Sequence, residues 1–145
     1  MAGFMASYVI EMQLSRPSEI TIGALGCIRF QAGRYLYVGS AKRGWDARIA
    51  RHMAPEKKLR WHVDYLTTHP QVVLQRAWMS EQDQECVTAQ QLLLLPGVEV
   101  ALPRMGASDC QCAAHCMRAT HILSVRHRLK TLHYQLWQPP TKRSS

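Results

Sequence analysis

The sequence predicts an α/β domain of the α+β kind, a small and mainly antiparallel sheet flanked by helices, and three observations carry that expectation. Runs rich in β-branched and aromatic residues recur near the start of the chain, and apolar residues then switch to a helical period. The segments follow one another as strand, strand, helix, helix, strand, helix. At 145 residues the chain has room for one core that folds without disulfides or an obligatory metal.

Ser7 to Met12 is made of β-formers and opens the domain as a strand, which Arg16-Pro17-Ser18 breaks. Ile20 to Leu25 adds a short strand or a shaped loop. Cys27 to Phe30 and Tyr35 to Val38 lie on either side of Gln31-Ala32-Gly33-Arg34 and predict a hairpin. After Gly39-Ser40 the period changes, because Trp45, Ile49 and Met53 fall at i, i+4 and i+8 and give one apolar helix face until Pro55 stops it. A second helix is expected over Trp61 to Thr68, with Trp61, Tyr65 and Leu66 on its apolar side and Pro70 beyond its end.

Gln71 to Trp78 reads as a strand. Ser80-Glu81-Gln82-Asp83 resembles a capping box, so a third helix should run from there to Leu95, closed by Pro96-Gly97. Beyond it the pattern predicts a loop from Gly106 to Cys116 and one or two strands between Ala119 and Leu136. Residues 1–6 and 139–145 are expected to be flexible ends of a single domain over 7–138.

No apolar run approaches the roughly 20 residues that cross a bilayer, and Met1 to Ser7 lacks the pattern of a signal peptide, so the expected setting is the cytoplasm with no membrane partner. Five cysteines, three of them within Cys110 to Cys116, suit reduced thiols or a metal site better than a disulfide framework. The formal charge of +8 points to a polyanionic partner. Its distribution is uneven. Seven basic residues stand between Lys42 and Arg60 against Asp46 and Glu56, and beyond Asp109 there are six Lys or Arg and no acid.

The stretch from Arg34 to His52 carries the most chemistry. A strand runs into Gly39-Ser40-Ala41 and then a helix on which Arg48 and His52 share one edge of the apolar face, with Arg51 turned further toward solvent. Arginine suits a phosphoryl group at such an edge because its planar fork donates two hydrogen bonds and keeps its charge.

Tyr37-Val38-Gly39 resembles the second half of the GIY-YIG nuclease motif, and Arg48 follows at the offset of the arginine in those enzymes. Tyr8 stands where the first half has its tyrosine. The wider pattern resembles the DUF123, or Uri-type, branch of that superfamily: Gly23-x-Leu25-Gly26, Tyr35-x-Tyr37-Val38-Gly39-Ser40-Ala41, Arg51-His52, Lys57-Lys58, Trp61-His62-Val63-Asp64-Tyr65-Leu66, Glu85-Cys86, and Ser108-Asp109-Cys110-x-Cys112-x-x-His115. The resemblance runs from about Tyr8 to His115.

What it implies is phosphodiester hydrolysis assisted by one divalent ion, Mg²⁺ or Mn²⁺, with Glu85 as metal ligand, Tyr8 and Tyr37 as the tyrosine pair, and Arg48 as the phosphate clamp with His52 beside it. A hard cation keeps several waters, so one glutamate is adequate. A phenol titrates near 10 and could act as a base only with help from nearby cations. The expected partner is nucleic acid, DNA ahead of RNA, held by Lys42, Arg43, Arg51, Lys57, Lys58 and Arg60.

The chain has no asparagine, so the asparagine of many superfamily members is missing, and the site is either rebuilt or lost. His52, His62 and Asp64 are available as replacements, and His62 and Asp64 serve equally well to fix the second helix against the hairpin. Were the site lost, the chain would be a nucleic-acid-binding or partner-docking module without chemistry. Cys110, Cys112, His115 and Cys116 form a second candidate, suited to zinc and with Cys86 as a distant ligand. Their spacing is unusual for structural zinc, and a tight turn over buried thiols is preferred.

Overall fold

Why a nine-residue run such as Ala6–Leu14 becomes the middle of a sheet is seen in its alternation: Tyr8, Ile10, Met12 and Leu14 fall on one side, Val9 and Glu11 on the other, and all six are buried. A computed structural model describes residues 6–41, 45–54, 56–59, 61–102 and 115–138. The strands are β1 (Ala6–Leu14), β2 (Ser18–Thr21), β3 (Cys27–Phe30), β4 (Gly33–Ala41), β5 (Val72–Ser80), β6 (Val98–Val100), β7 (Cys116–Ala119) and β8 (Gln135–Leu136). The helices are α1 (Trp45–Met53), α2 (Asp64–Thr67), α3 (Glu85–Leu93) and α4 (Ile122–Thr131).

Six strands form one sheet in the order β6-β7-β4-β1-β5-β8, every pairing antiparallel, and β2 and β3 form a small ladder of their own. The mainly antiparallel sheet flanked by helices is therefore as expected. Tyr8, Ile10 and Met12 share a core with Ile49 of α1 and Leu66 of α2, whereas Val9, Leu36, Val38 and Trp78 share the other with Ala89 and Leu92 of α3 and Val125 and Leu129 of α4.

Four local expectations are corrected. Cys27–Phe30 and Gly33–Ala41 do not form a hairpin: β3 pairs with β2, and β4 pairs with β1 and β7. Gly33, at φ 146°, redirects the chain from one sheet to the other, and a Cβ there would lie 2.8 Å from Arg118 Nε. The expected second helix is a single turn, Asp64–Thr67, preceded by turns that leave Trp61 outside it.

Ser80 does not cap α3. It ends β5, and its Oγ accepts from the Gln82 N–H and the Gln84 side-chain amide, fastening the turn that leads into a helix beginning at Glu85. The C-terminal third is helical over Ile122–Thr131, because Val125 and Leu129 with half-buried Ile122 and Leu132 follow a helical period. Its strands are short flanking pieces.

A bulge in β5 shapes both faces. Glu11 pairs with Arg76 and Met12 with Leu74, so Gln75 is the extra residue, and the parity of β5 flips there. Val72 and Leu74 thereby pack on the same side as Ala77 and Met79, while Arg76 falls beside Glu11.

Candidate active site

Tyr8 lies directly opposite Gly39 in the β1–β4 register, and its ring crosses the glycine so closely that a Cβ at position 39 would stand 2.4 Å from the phenol carbon and oxygen. Glycine here supplies space for the tyrosine, which explains its place after Tyr37-Val38. The Tyr8 and Tyr37 rings are 6.5 Å apart between centroids, and the His52 ring of α1 lies 5.3 Å from Tyr8, 5.6 Å from Tyr37 and 5.5 Å from Trp61. Four aromatic side chains thus close one end of the sheet.

Tyr8 Oη and His52 Nε2 are 2.8 Å apart and both residues are buried. Burial, with the like charge of Lys57 adding to it, pushes the imidazole down to about 3, so His52 is neutral at physiological pH. Its Nδ1 has no hydrogen-bond partner among the described residues. A buried N–H without an acceptor costs more than a bare lone pair, which assigns the proton to Nε2 and makes Tyr8 Oη the acceptor. With its oxygen accepting from His52, the phenol's own proton is free to donate, and Arg48 lies near enough to favour the ionised phenol against the larger effect of burial.

Arg48 is held by two further contacts. Its Nη1 donates to the Ser40 carbonyl at 3.1 Å, and its guanidinium lies 5.2 Å from the centroid of the Trp61 ring. Glu85 reaches the same end from α3, which is fastened to β1 through Ser7 Oγ: the hydroxyl donates to the Gln82 carbonyl and accepts from the Gln84 N–H. Both phenols lie within electrostatic reach of Glu85 and Arg48. Burial first, and neighbouring acidic groups after it, hold both phenols well above their ordinary range.

A family model described as domain of unknown function DUF123 matches residues 7–138. The chain belongs to the DUF123 family. No curated protein and no solved structure matches it.

The other sequence-predicted residues of this DUF123 domain are placed unevenly. Arg51, expected to turn toward solvent, forms a two-pronged pair with buried Asp64 at 2.9 and 3.0 Å, donates to the Lys58 carbonyl and stacks 4.3 Å over Trp61. Asp64 also accepts the Trp61 N–H, so it ties α2 to α1. Lys57 donates to the His52 carbonyl and to Thr67 Oγ1, and burial lowers it to about 8. Lys58 and His62 are exposed. Lys42, Arg43, Arg60, Cys110 and Cys112 lie outside the described residues.

His115 and Cys116 are buried, and the His115 ring spans Glu85 Oε2 at 3.4 Å from Nδ1 and Cys86 Sγ at 3.9 Å from Nε2. Burial pushes the Cys116 thiol up to about 12, away from thiolate chemistry. Among the described residues no three His, Cys, Asp or Glu side chains group as a metal cage, and no helix is long and apolar enough to cross a membrane.

Sequence reasoning missed Trp61, treated as a helix packing residue, although it braces both arginines. The signal was its place immediately after a basic run. It also missed the pairing of Tyr8 with His52, since nothing local joins residues 44 apart.

Proposed function

We propose that this domain is a metal-dependent endonuclease of the GIY-YIG plan that hydrolyses phosphodiester bonds in nucleic acid, DNA ahead of RNA. The observation that supports the reading is that Tyr8, Tyr37 and His52 pack together at one end of the sheet, with Arg48 of α1 and Glu85 of α3 within electrostatic reach of both phenols. Arg48, braced on Trp61, holds a phosphate oxygen, and its charge there offsets the charge that grows on phosphorus-bound oxygens as the bond breaks. Tyr8, accepting from His52, presents its hydroxyl proton as a donor. Because burial keeps both phenols protonated, they orient the phosphate or water and do not act as bases.

The donor set fits a loosely held hard cation. Glu85 is one carboxylate with about a third of its side chain exposed, enough for Mg²⁺ or Mn²⁺ that keeps most of its waters and shares the substrate's phosphate. Such an ion supplies charge neutralisation at the phosphate and a more acidic water. In this reading Glu85 holds the ion, and His115 beside it orients the carboxylate.

The test is nicking of plasmid, branched DNA and structured RNA by the purified protein with Mg²⁺ or Mn²⁺. Arg48→Ala and Glu85→Gln should each lower the rate by about 100-fold or more. Unchanged cleavage in both variants overturns the site. A second reading has a specific observation behind it: Tyr8 is only 2 % exposed, and Arg51 and Lys57 are turned inward. The fold would then bind nucleic acid or dock a partner without chemistry, and salt-sensitive binding with no metal-stimulated cleavage selects that reading.

A further inference from the structure

On the face of the sheet opposite Tyr8, Glu11 is wholly buried and three arginines converge on it. Its Oε1 accepts from Arg126 Nη2 at 2.6 Å and from Arg34 Nη1 at 3.1 Å, and Arg76 Nε lies 3.6 Å away. The Trp78 indole N–H donates to Oε2 at 3.3 Å, with Arg126 Nε at 3.5 Å. The arginines come from β4, β5 and α4, and the bulge at Gln75 is what brings Arg76 to this face.

One carboxylate is met by three guanidinium charges, which leaves two positive charges without a counter-charge in the cluster. A two-pronged pair with a single arginine would satisfy a carboxylate, as Asp64 and Arg51 demonstrate in the same molecule. The surplus is not hidden: the side chains of Arg34, Arg76 and Arg126 are 30, 34 and 19 % exposed, and every ion pair they make among the described residues is to Glu11. Arg76 Nε is itself buried toward Glu11, without a hydrogen-bond partner among those residues, so the exposed part of that guanidinium is its outer end. Each guanidinium has five donors, so most of them remain for a ligand.

We propose that Arg34, Arg76 and Arg126, set around Glu11, form a binding site for a phosphate oxyanion, separate from the candidate active site on the other face. Glu11 is the inner counter-charge that allows three like charges to gather, and the phosphate supplies the outer one. The geometry favours phosphate over a lone carboxylate because a phosphoryl group offers three or more acceptor oxygens to forks arriving from three directions. The same chemistry is offered by a free phosphate and by a nucleic-acid backbone.

The experiment is titration of the full chain with inorganic pyrophosphate and, separately, with a single-stranded oligonucleotide, each in wild type and in the Arg48→Ala background. Arg34→Gln and Arg76→Gln should weaken binding of at least one probe by about tenfold, while Arg128→Gln, which alters an arginine of the same helix bonded to Gln91, should not. Loss confined to the oligonucleotide assigns the site to a polymer backbone, and loss with pyrophosphate assigns it to a free phosphate. The effect must persist in the Arg48→Ala background, so that failure of the active-site reading leaves it standing. If neither probe binds, or if Arg34→Gln and Arg76→Gln lower thermal stability with affinity unchanged, the cluster is a brace between strands and helix and the proposal falls.

Discussion

Tyr8 and Glu11 stand three residues apart on one strand, on opposite faces of the sheet, and both are buried. Tyr8 and His52 are a buried phenol and imidazole held uncharged by desolvation. Around Glu11 the groups are charged and held by ion pairing. The difference teaches that this chain handles buried polarity in two ways: a charge is kept where an opposite charge pairs with it, as at Glu11 and at Asp64, and the neutral form is kept where burial outweighs the neighbouring charges.

The sharpest way to break the comparison is to remove the carboxylate from the charged face. Glu11→Gln leaves three guanidinium groups facing one another with no counter-charge, and breaking a buried ion pair by deleting one partner typically costs about 3–5 kcal/mol. Urea denaturation should report a loss of that size, and adding Arg76→Gln should recover part of it by removing one of the like charges. A loss of only a few tenths would mean the guanidiniums are already satisfied by water.

On the neutral face, the corresponding cut is Gly39→Ala. The added methyl must push the Tyr8 ring away from β4, and overpacking of this kind costs about 1–3 kcal/mol. The same displacement should break the Tyr8–His52 bond. Proton NMR of the imidazole should then show His52 titrating closer to the ordinary histidine range, and an unmoved titration would show that the ring finds room elsewhere.

Much of the neutral face was legible in the sequence and little of the charged one. Tyr37, Gly39 and Arg48 sit close along the chain, where a strand, a tight approach and a helix edge leave a spacing that can be read, and the sequence resemblance added Tyr8. Nothing local marks Glu11 within its run of β-formers, and its partners Arg34, Arg76 and Arg126 come from elements that only the sheet order and the Gln75 bulge bring together. Pairing of β4 with β1 and β7 is likewise non-local, which is why the adjacent runs Cys27–Phe30 and Tyr35–Val38 suggested a hairpin. In Ile122–Thr131 the β-branched Ile122 and Val125 masked a helical period that packing against α3 and the sheet enforces.

A third prediction uses pH to separate the faces. His52 is lowered from its ordinary value to about 3, so between about 3 and 6.5 the unfolded chain binds a proton that the folded one does not. Stability contributed by the neutral imidazole is present above about 6.5 and is lost as pH falls through that window, about 2 kcal/mol by pH 5 at 1.36 kcal/mol per pH unit. Urea midpoints measured from pH 7 to 5 should fall more steeply in wild type than in His52→Gln, which keeps a donor for Tyr8 and has no proton to gain. Equal slopes would mean that His52 titrates normally and that the imidazole is in contact with water.

The smallest expected effect concerns a single hydrogen bond, and it decides which proton the site holds ready. With the proton on Nε2, His52 donates to Tyr8, so Tyr8→Phe leaves a buried N–H without its acceptor and should cost about 1–2 kcal/mol. In Tyr8→Phe with His52→Phe both ends of the bond are apolar, and the double variant should be less destabilised than the sum of the singles by about 1 kcal/mol. The opposite tautomer would have Tyr8 donating inward, and its hydroxyl proton would then be unavailable to a phosphate. Nitrogen-15 NMR of the imidazole distinguishes the two directly, because only a protonated Nε2 leaves Nδ1 with the chemical shift of a bare lone pair. A protonated Nδ1 would reverse the donor role assigned to Tyr8 and leave Arg48 as the donor beside that ring in the proposed site.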